Sequence, residues 1–199
     1  MATDLFDEPD GTREEILAAT YRALRTHGYA DLTISAIGEE FEKSPSLVYR
    51  HYESKDDLVL ACLAFMLERF EARMTDDEIT DSRRRLEAFL HWGLDEMSST
   101  RYRFVTTLVE LRLQATHDEA YQEHFTRSDD VFESHVVEIV QSGVDRGDFQ
   151  ECDPERVAAM LVTIVSGALF RRATSDSAAW PADVQAELEA YLESTVYRD

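Results

Sequence analysis

The chain of 199 residues is long enough for one domain with a sizeable core or for two small domains. An apolar fraction of 44% excludes wholesale disorder, and two cysteines are too few for a disulfide scaffold, which favours a reducing compartment. The net charge of −21, taken alone, argues against nucleic acid as a partner.

No segment of the sequence predicts export or membrane insertion. The N-terminus carries Asp4, Asp7, Glu8 and Asp10, the opposite of the cationic start of a signal peptide. The longest apolar run covers residues 157–170, and a membrane span needs about 20 residues. We therefore expect a cytoplasmic protein without a membrane partner.

The basic residues have an unusual composition, because 18 are arginine and only two, Lys43 and Lys55, are lysine. A strongly acidic surface with almost no lysine resembles the proteins of halophiles that keep a concentrated salt solution in the cytoplasm. There the Debye length is about 3 Å at 1 M salt, so repulsion between the protein and DNA would be largely screened. The alternative is an ordinary acidic protein.

The charge is also distributed unevenly along the chain. Residues 12–55 carry six bases and seven acids, whereas residues 56–199 carry 14 bases and 30 acids. The nearly neutral segment holds both lysines. This contrast marks residues 12–55 as functionally different from the rest.

Helical spacing of apolar residues runs through the chain and no strand alternation is visible, so the fold class is predicted as all-α. The first helix is predicted to begin at Thr12, where Glu15 completes a capping box, and to end before Gly28. A short second helix follows Thr33, which is a suitable N-cap.

A third helix is predicted over residues 45–51, because Ser44 is a suitable N-cap and proline is favoured at the first helical position. Ser54 then caps a fourth helix, from about residue 55 to 73. Further helices are predicted at about 80–98, 101–116, 118–146, 154–174 and 182–197, which makes about nine in all.

Two short helices joined by a tight turn, after a longer supporting helix, are the geometry of a helix-turn-helix, whose second helix enters the major groove. Residues 44–51 are mostly polar or small; Arg50 can contact guanine or phosphate, and Leu47 can contact a thymine methyl. Lys55, at the start of the next helix, can hold a phosphate. The alternative is a small three-helix subdomain with no role on DNA.

The sequence of this segment resembles the DNA-binding headpiece of the tetracycline-repressor (TetR) family over about residues 12–60. The residues that carry the resemblance are Thr33-Ile34-Ser35-Ala36-Ile37-Gly38, Ser44, Leu47-Val48-Tyr49-Arg50-His51-Tyr52 and Ser54-Lys55-Asp56-Asp57-Leu58. It implies a headpiece at residues 10–60 and a helical ligand-binding and dimerisation domain at residues 61–199.

The resemblance also implies the role of individual positions. Thr33 and Ser35 fall where the family contacts the DNA backbone and sometimes a base. Base reading falls on Ser44, Pro45, Ser46 and Leu47, phosphate contact on Tyr49, His51 and Lys55, a variable contact on Arg50, and buried positions on Val48 and Tyr52.

One departure from the family pattern concerns the turn. Glu42 stands where the family has a glycine, which predicts either a different turn or backbone strain of about 1–2 kcal/mol. Lys43 replaces a valine and is expected to add a phosphate contact.

Residues 155–172 are apolar all round, so this helix must be covered on two sides. By resemblance, it and the last helix form a four-helix dimer interface with a second copy. The candidate interface residues are Met160, Ile164, Gly167, Ala168, Leu188, Tyr191 and Leu192. The alternative is an ordinary buried helix in a monomer.

The middle helices are where the family keeps its effector pocket. The candidate wall residues are Phe65, Met66, Phe89, Trp92, Met97, Phe104, Leu108, Leu111, Gln114, Phe125, Phe132 and His135. For each of them a plain core position is the alternative interpretation.

We therefore predict a sequence-specific DNA-binding transcriptional regulator, a ligand-responsive repressor acting as a homodimer on a palindromic operator. No enzymatic activity is expected, because the sequence has no phosphate-binding glycine loop and no nucleophile elbow. No cofactor is expected, and the spacing of His117 and His124 does not indicate a metal site. The alternatives are a DNA-binding protein without a ligand and a protein-interaction module with a degenerate headpiece.

Overall fold

The computed structural model describes residues 6, 9–41, 45–75, 81–176 and 180–198, without the side chains of residues 45, 74 and 75. The all-α prediction is confirmed, since this described part contains nine α-helices and no strand beyond one isolated bridge between Phe149 and Tyr197. The helices are α1 (Gly11–His27), α2 (Ile34–Glu40), α3 (Val48–His51), α4 (Lys55–Thr75), α5 (Ser82–Leu94), α6 (Ser99–Gln114), α7 (Glu119–Arg146), α8 (Pro154–Thr174) and α9 (Trp180–Thr195).

The start of α1 differs from the predicted one. Asp10 is the N-cap, and its backbone N–H donates to Glu14 Oε2 at 3.0 Å. The carboxylate that reaches back is therefore Glu14 rather than Glu15, and the helix begins one residue before Thr12. The predicted stop is confirmed: Gly28 has a φ of 72° and its N–H donates to the Leu24 carbonyl.

Helices α2 and α4 begin after their predicted caps. Thr33 Oγ1 accepts from Ala36 N at 3.0 Å, and Ser54 Oγ accepts from Asp57 N at 3.0 Å. The third predicted helix begins as one 3₁₀ turn, Pro45–Leu47, and becomes α-helical only in α3. The predictions for Glu42, Lys43 and Ser44 concern residues outside the described part of the chain.

The ends of α5, α6 and α9 differ from the predicted ones by two to four residues, and two of these differences have a local cause. Helix α5 ends at Leu94 rather than near 98, because Asp95 is extended and Ser98 already caps α6 by accepting from Arg101 N. Helix α9 begins at Trp180 rather than 182, which places Pro181 in the first turn, where its missing N–H costs no helical hydrogen bond. Helices α7 and α8 lie close to their predicted positions.

The chain divides into two compact units. The first unit contains Met1–Thr75 and Met97–Thr126, and the second contains Asp76–Glu96 and Arg127–Asp199, so α7 contributes to both. Each unit has a hydrophobic cluster of its own. The functional boundary predicted near residue 60 falls inside α4, within the first unit.

Helix α8 is longer than the apolar run seen in the sequence. It has 21 residues and is the one described helix long and apolar enough, by length and composition, to cross a membrane. Buried core helices pass the same test, and α8 places Val157, Leu161 and Val165 in the cluster of the second unit. Yet only 28% of its most apolar window is buried within the chain, which leaves an apolar face to be explained.

Gly93 on α5 lies against Val165 on α8, where a Cβ atom would stand 2.5 Å from Val165 Cγ1. We expect Gly93→Ala to lower the free energy of unfolding by about 1–3 kcal/mol, because the added methyl overpacks a close contact. Urea unfolding measures the loss. Val165→Ala should make room, so the double variant should lose less stability than the two single variants together. Strict additivity would contradict the contact.

Candidate nucleic-acid interface

The headpiece is assembled on one buried cluster in the first unit. Ile37 of α2, Val48 of α3 and Leu58 of α4 are all fully buried in it. Arg22 of α1 also donates to the backbone carbonyl of Glu40 at 2.7 Å, which holds the end of α2 against α1. These contacts place α2 and the segment 45–51, which we call the recognition segment, in a helix-turn-helix arrangement.

The outer face of the recognition segment is exposed. Tyr49 is 67% exposed, the largest value among the exposed large hydrophobic residues of the described chain, and Ser46, Arg50 and His51 are exposed as well. Leu47 instead packs partly against the cluster of the first unit, so it has less surface for a base than its neighbours. The buried side chain of Val48 therefore fixes the recognition segment to the core, and its outer face consists of polar and aromatic side chains.

The start of α2 lies near solvent, as its predicted role requires. Thr33 and Ser35 are both exposed. Because the Thr33 hydroxyl accepts from Ala36 N, its own hydrogen stays available to donate to a phosphate oxygen.

Lys55 is placed differently from a freely extended lysine. It is half-buried, and its ammonium lies 4.2 Å from the centre of the Tyr29 ring and donates to the Tyr29 carbonyl at 3.3 Å. An ammonium has three N–H donors, so the contact leaves donors for a phosphate.

Tyr29 belongs to a polar network that sequence reasoning missed. Its hydroxyl donates to Asp56 Oδ1 at 2.6 Å, the Tyr121 hydroxyl donates to the same oxygen at 3.2 Å, and Tyr29 N donates to Glu110 Oε2 at 3.1 Å. Burial raises the pKa of both tyrosines and the hydrogen bond with Asp56 adds to the rise, so both stay neutral donors. Asp56 and Tyr121 are 65 residues apart in the chain, so no local sequence pattern indicates that they share a hydrogen bond.

The predicted pocket residues divide between the two units. Phe65, Leu111 and Phe125 are buried in the first cluster and Phe89 in the second. Met66, Phe104 and Leu108 are half-buried and pack against the first cluster, and Trp92 and Phe132 are half-buried and pack against the second. Met97, Gln114 and His135 are also half-buried. A groove of about 790 Å³ in the second unit is lined by other residues, from Asp130 to Arg146 on α7 together with Glu155.

The predicted dimer residues also divide, by exposure. Ala168, Leu188 and Leu192 are buried in the chain's own second cluster, whereas Met160, Ile164 and Tyr191 are half-buried. Gly167 is exposed, and a Cβ there would meet no atom within 4 Å. The exposed side chains on the same face of α8 are Ala159, Thr163, Ser166 and Phe170, and α9 exposes Ala182, Ala186 and Ala190.

Comparison with known proteins identifies two family models that match this chain. Residues 16–62 match the model of bacterial regulatory proteins of the tetR family, and residues 82–196 match the C-terminal model of BetI-type transcriptional repressors. The chain is 24% identical over 178 residues to the HTH-type transcriptional repressor AcnR of Corynebacterium glutamicum, which covers 89% of this chain and 90% of that repressor.

Solved structures agree with the family models. A TetR transcription regulator from Haloarcula marismortui is 36% identical, with a TM-score of 0.79 over 92% of this chain and 97% of that one. A transcriptional regulator from Saccharomonospora viridis in complex with choline has a TM-score of 0.77 over 94% and 98%, and at 19% identity it shows the fold alone. With a family model over more than half its length and an exposed recognition segment on a helix-turn-helix, this chain belongs to the TetR family of DNA-binding transcriptional regulators.

Proposed function

We propose that the protein is a repressor that binds a palindromic operator as a homodimer, with one recognition segment in each of two successive major grooves. The observation that carries the proposal is the two-sided exposure of the recognition segment. On its inner side Val48 is fully buried, and on its outer side Tyr49, Arg50 and His51 face solvent. A helix-turn-helix of this kind reads DNA through the first residues of its second helix and works as a two-fold dimer. A cytoplasmic, non-enzymatic protein is consistent with this role.

Within the headpiece we assign contacts by exposure. Arg50 is proposed to contact guanine or a phosphate, and the exposed hydroxyls of Thr33, Ser35 and Tyr49 to contact the DNA backbone. His51 and Lys55 complete the phosphate contacts. Ser44 and Pro45 keep the base contacts that the family pattern gives them, and Lys43, which replaces the valine of that pattern, is proposed to add a phosphate contact.

The dimer is proposed to form through the exposed face of α8 together with α9. Phe170 is 50% exposed, and only 28% of the most apolar window of α8 is fully buried within its own chain. A second copy, packed through the small residues Ala159, Thr163, Gly167 and Ala186, would cover this face, because small side chains let helices approach closely. Half-buried Met160, Ile164 and Tyr191 would lie at its margin.

We expect Arg50→Ala to weaken binding to DNA from upstream of the gene about tenfold or more, since one bidentate base contact discriminates by about 1–3 kcal/mol. A fluorescence-anisotropy titration measures the change, and circular dichroism checks that helix content is unaltered. Arg84→Ala is the matched control, because this guanidinium lies on α5 in the second unit and is 77% exposed. Equal losses in both variants would show that only net charge matters.

A small-molecule effector that lowers operator affinity is part of the proposal. Its support is the BetI-type match over residues 82–196 together with the neighbour in complex with choline. Choline is the first probe, tested by calorimetry and by release of a labelled operator. Choline binding without operator release would separate ligand binding from regulation.

A further inference from the structure

Tyr29 connects three helices of the first unit. It lies in the loop between α1 and α2, and its contacts reach Asp56 on α4, Glu110 on α6 and, through Asp56, Tyr121 on α7. The rings of Tyr29 and Tyr121 also meet edge to face, with centroids 6.3 Å apart. Tyr121 is only 1% exposed, so the hydrogen bonds to Asp56 are partly shielded from water.

The same tyrosine holds Lys55. The ring supplies a face for the ammonium at 4.2 Å and the backbone carbonyl accepts from it at 3.3 Å. A lysine side chain has many rotamers, so a lysine already held in one position loses less freedom when it meets a phosphate. Asp56 is the next residue along α4, so its hold on the Tyr29 hydroxyl fixes the ring under Lys55.

We propose that Tyr29 is the positioning residue for the Lys55 phosphate contact, and that Asp56 and Tyr121 hold Tyr29 in place. The proposal rests on the phosphate contact of Lys55 proposed above. Because Tyr121 belongs to α7 and Glu110 to α6, a displacement of either helix changes the support of the Tyr29 ring. Operator affinity is thereby sensitive to the position of helices that carry the predicted effector residues Leu108, Leu111 and Phe125.

The test is a double-mutant cycle read by operator affinity and by its salt dependence. Lys55→Ala should shift the slope of log K against log salt by about one in the positive direction, because one phosphate contact with its negative contribution is lost. Tyr29→Leu keeps the backbone carbonyl and most of the bulk but removes the aromatic face and the hydroxyl. It should weaken binding by about threefold to tenfold and shift the same slope in the same direction.

The decisive measurement is Tyr29→Leu in the Lys55→Ala background, where it should have no further effect on affinity. Tyr121→Phe removes only a hydroxyl and should weaken binding by about twofold to fivefold, again only when Lys55 is present. If Tyr29→Leu does not fold, Tyr29→Phe replaces it in the cycle. This variant keeps the ring under Lys55 and removes only the hydroxyl that donates to Asp56. Tyr102→Phe, at a tyrosine 43% exposed on α6, is the matched control and should change nothing.

Two results would overturn the proposal in different ways. If Tyr29→Leu and Tyr121→Phe weaken binding equally with and without Lys55, the network only supports the headpiece and does not position the lysine. If Lys55→Ala leaves affinity and salt slope unchanged, the phosphate contact itself is wrong, while Arg50→Ala still tests DNA reading separately.

Discussion

Gly167→Trp is expected to convert the protein to monomers and to reduce operator affinity by about a hundredfold or more, because a monomer engages one half-site instead of two. The glycine lies on the exposed face of α8, and a side chain there meets nothing within 4 Å in its own chain. The indole therefore fits the monomer but collides with a second copy packed on this face. Light scattering measures the oligomeric state, and circular dichroism checks the fold.

The control for this variant is Gln122→Trp, which places the same side chain at an exposed position on α7 in the first unit, whereas α8 and α9 belong to the second unit. It should remain dimeric and bind the operator normally. If Gly167→Trp also scatters light as a dimer, the interface lies elsewhere. If it is monomeric yet binds the operator at full affinity, the two-fold mode of binding is wrong.

Raising KCl from about 0.1 M is expected to increase operator affinity up to an optimum, in contrast to the loss that phosphate contacts alone would produce. Even if every base paired with an acid, 21 acids would stay unpaired, which follows from 41 acids against 20 bases. Such an excess repels DNA, the second copy and itself, and salt screens all three, since the Debye length falls from about 10 Å to 3 Å between 0.1 and 1 M. Folding stability should rise in parallel.

The opposing effect is the loss of attraction between phosphates and the few headpiece bases. Each phosphate contact contributes a slope of about −0.9 in log K against log salt. Residues 12–55 hold only six bases against seven acids, so we expect relief of repulsion to dominate at low salt. An operator titration at rising KCl, with light scattering at each step, measures both terms. A steady loss of affinity from the lowest salt, with the dimer intact, would show that the acidity is incidental.

Much of the architecture could be predicted from the sequence because helix ends are determined locally. Thr33, Ser54 and Asp153 each accept a hydrogen bond from a backbone N–H three residues onward, and Gly28 ends α1 at positive φ. At the start of α1 two neighbouring carboxylates could accept from the N-cap, and the structure uses Glu14 where Glu15 was predicted.

The sequence by itself also located the helix-turn-helix, since a mostly polar recognition segment within a nearly neutral, lysine-bearing stretch is visible without coordinates. It could not assign the apolar residues of the larger domain. A helix that is apolar all round, such as α8, does not show which face its own core covers, and the aromatic residues of the middle helices divide between two clusters.

Only the tertiary structure decided what surrounds Lys55. Lys55 contacts Tyr29, and Tyr29 in turn shares Asp56 with Tyr121 through hydrogen bonds that span up to 65 residues. Such contacts depend on how helices pack rather than on any local preference. Local hydrogen bonds and helical periodicity act over three or four residues, so they specify caps and faces. Burial and the pairing of distant polar groups depend on the packed core, which exists only once the helices have come together.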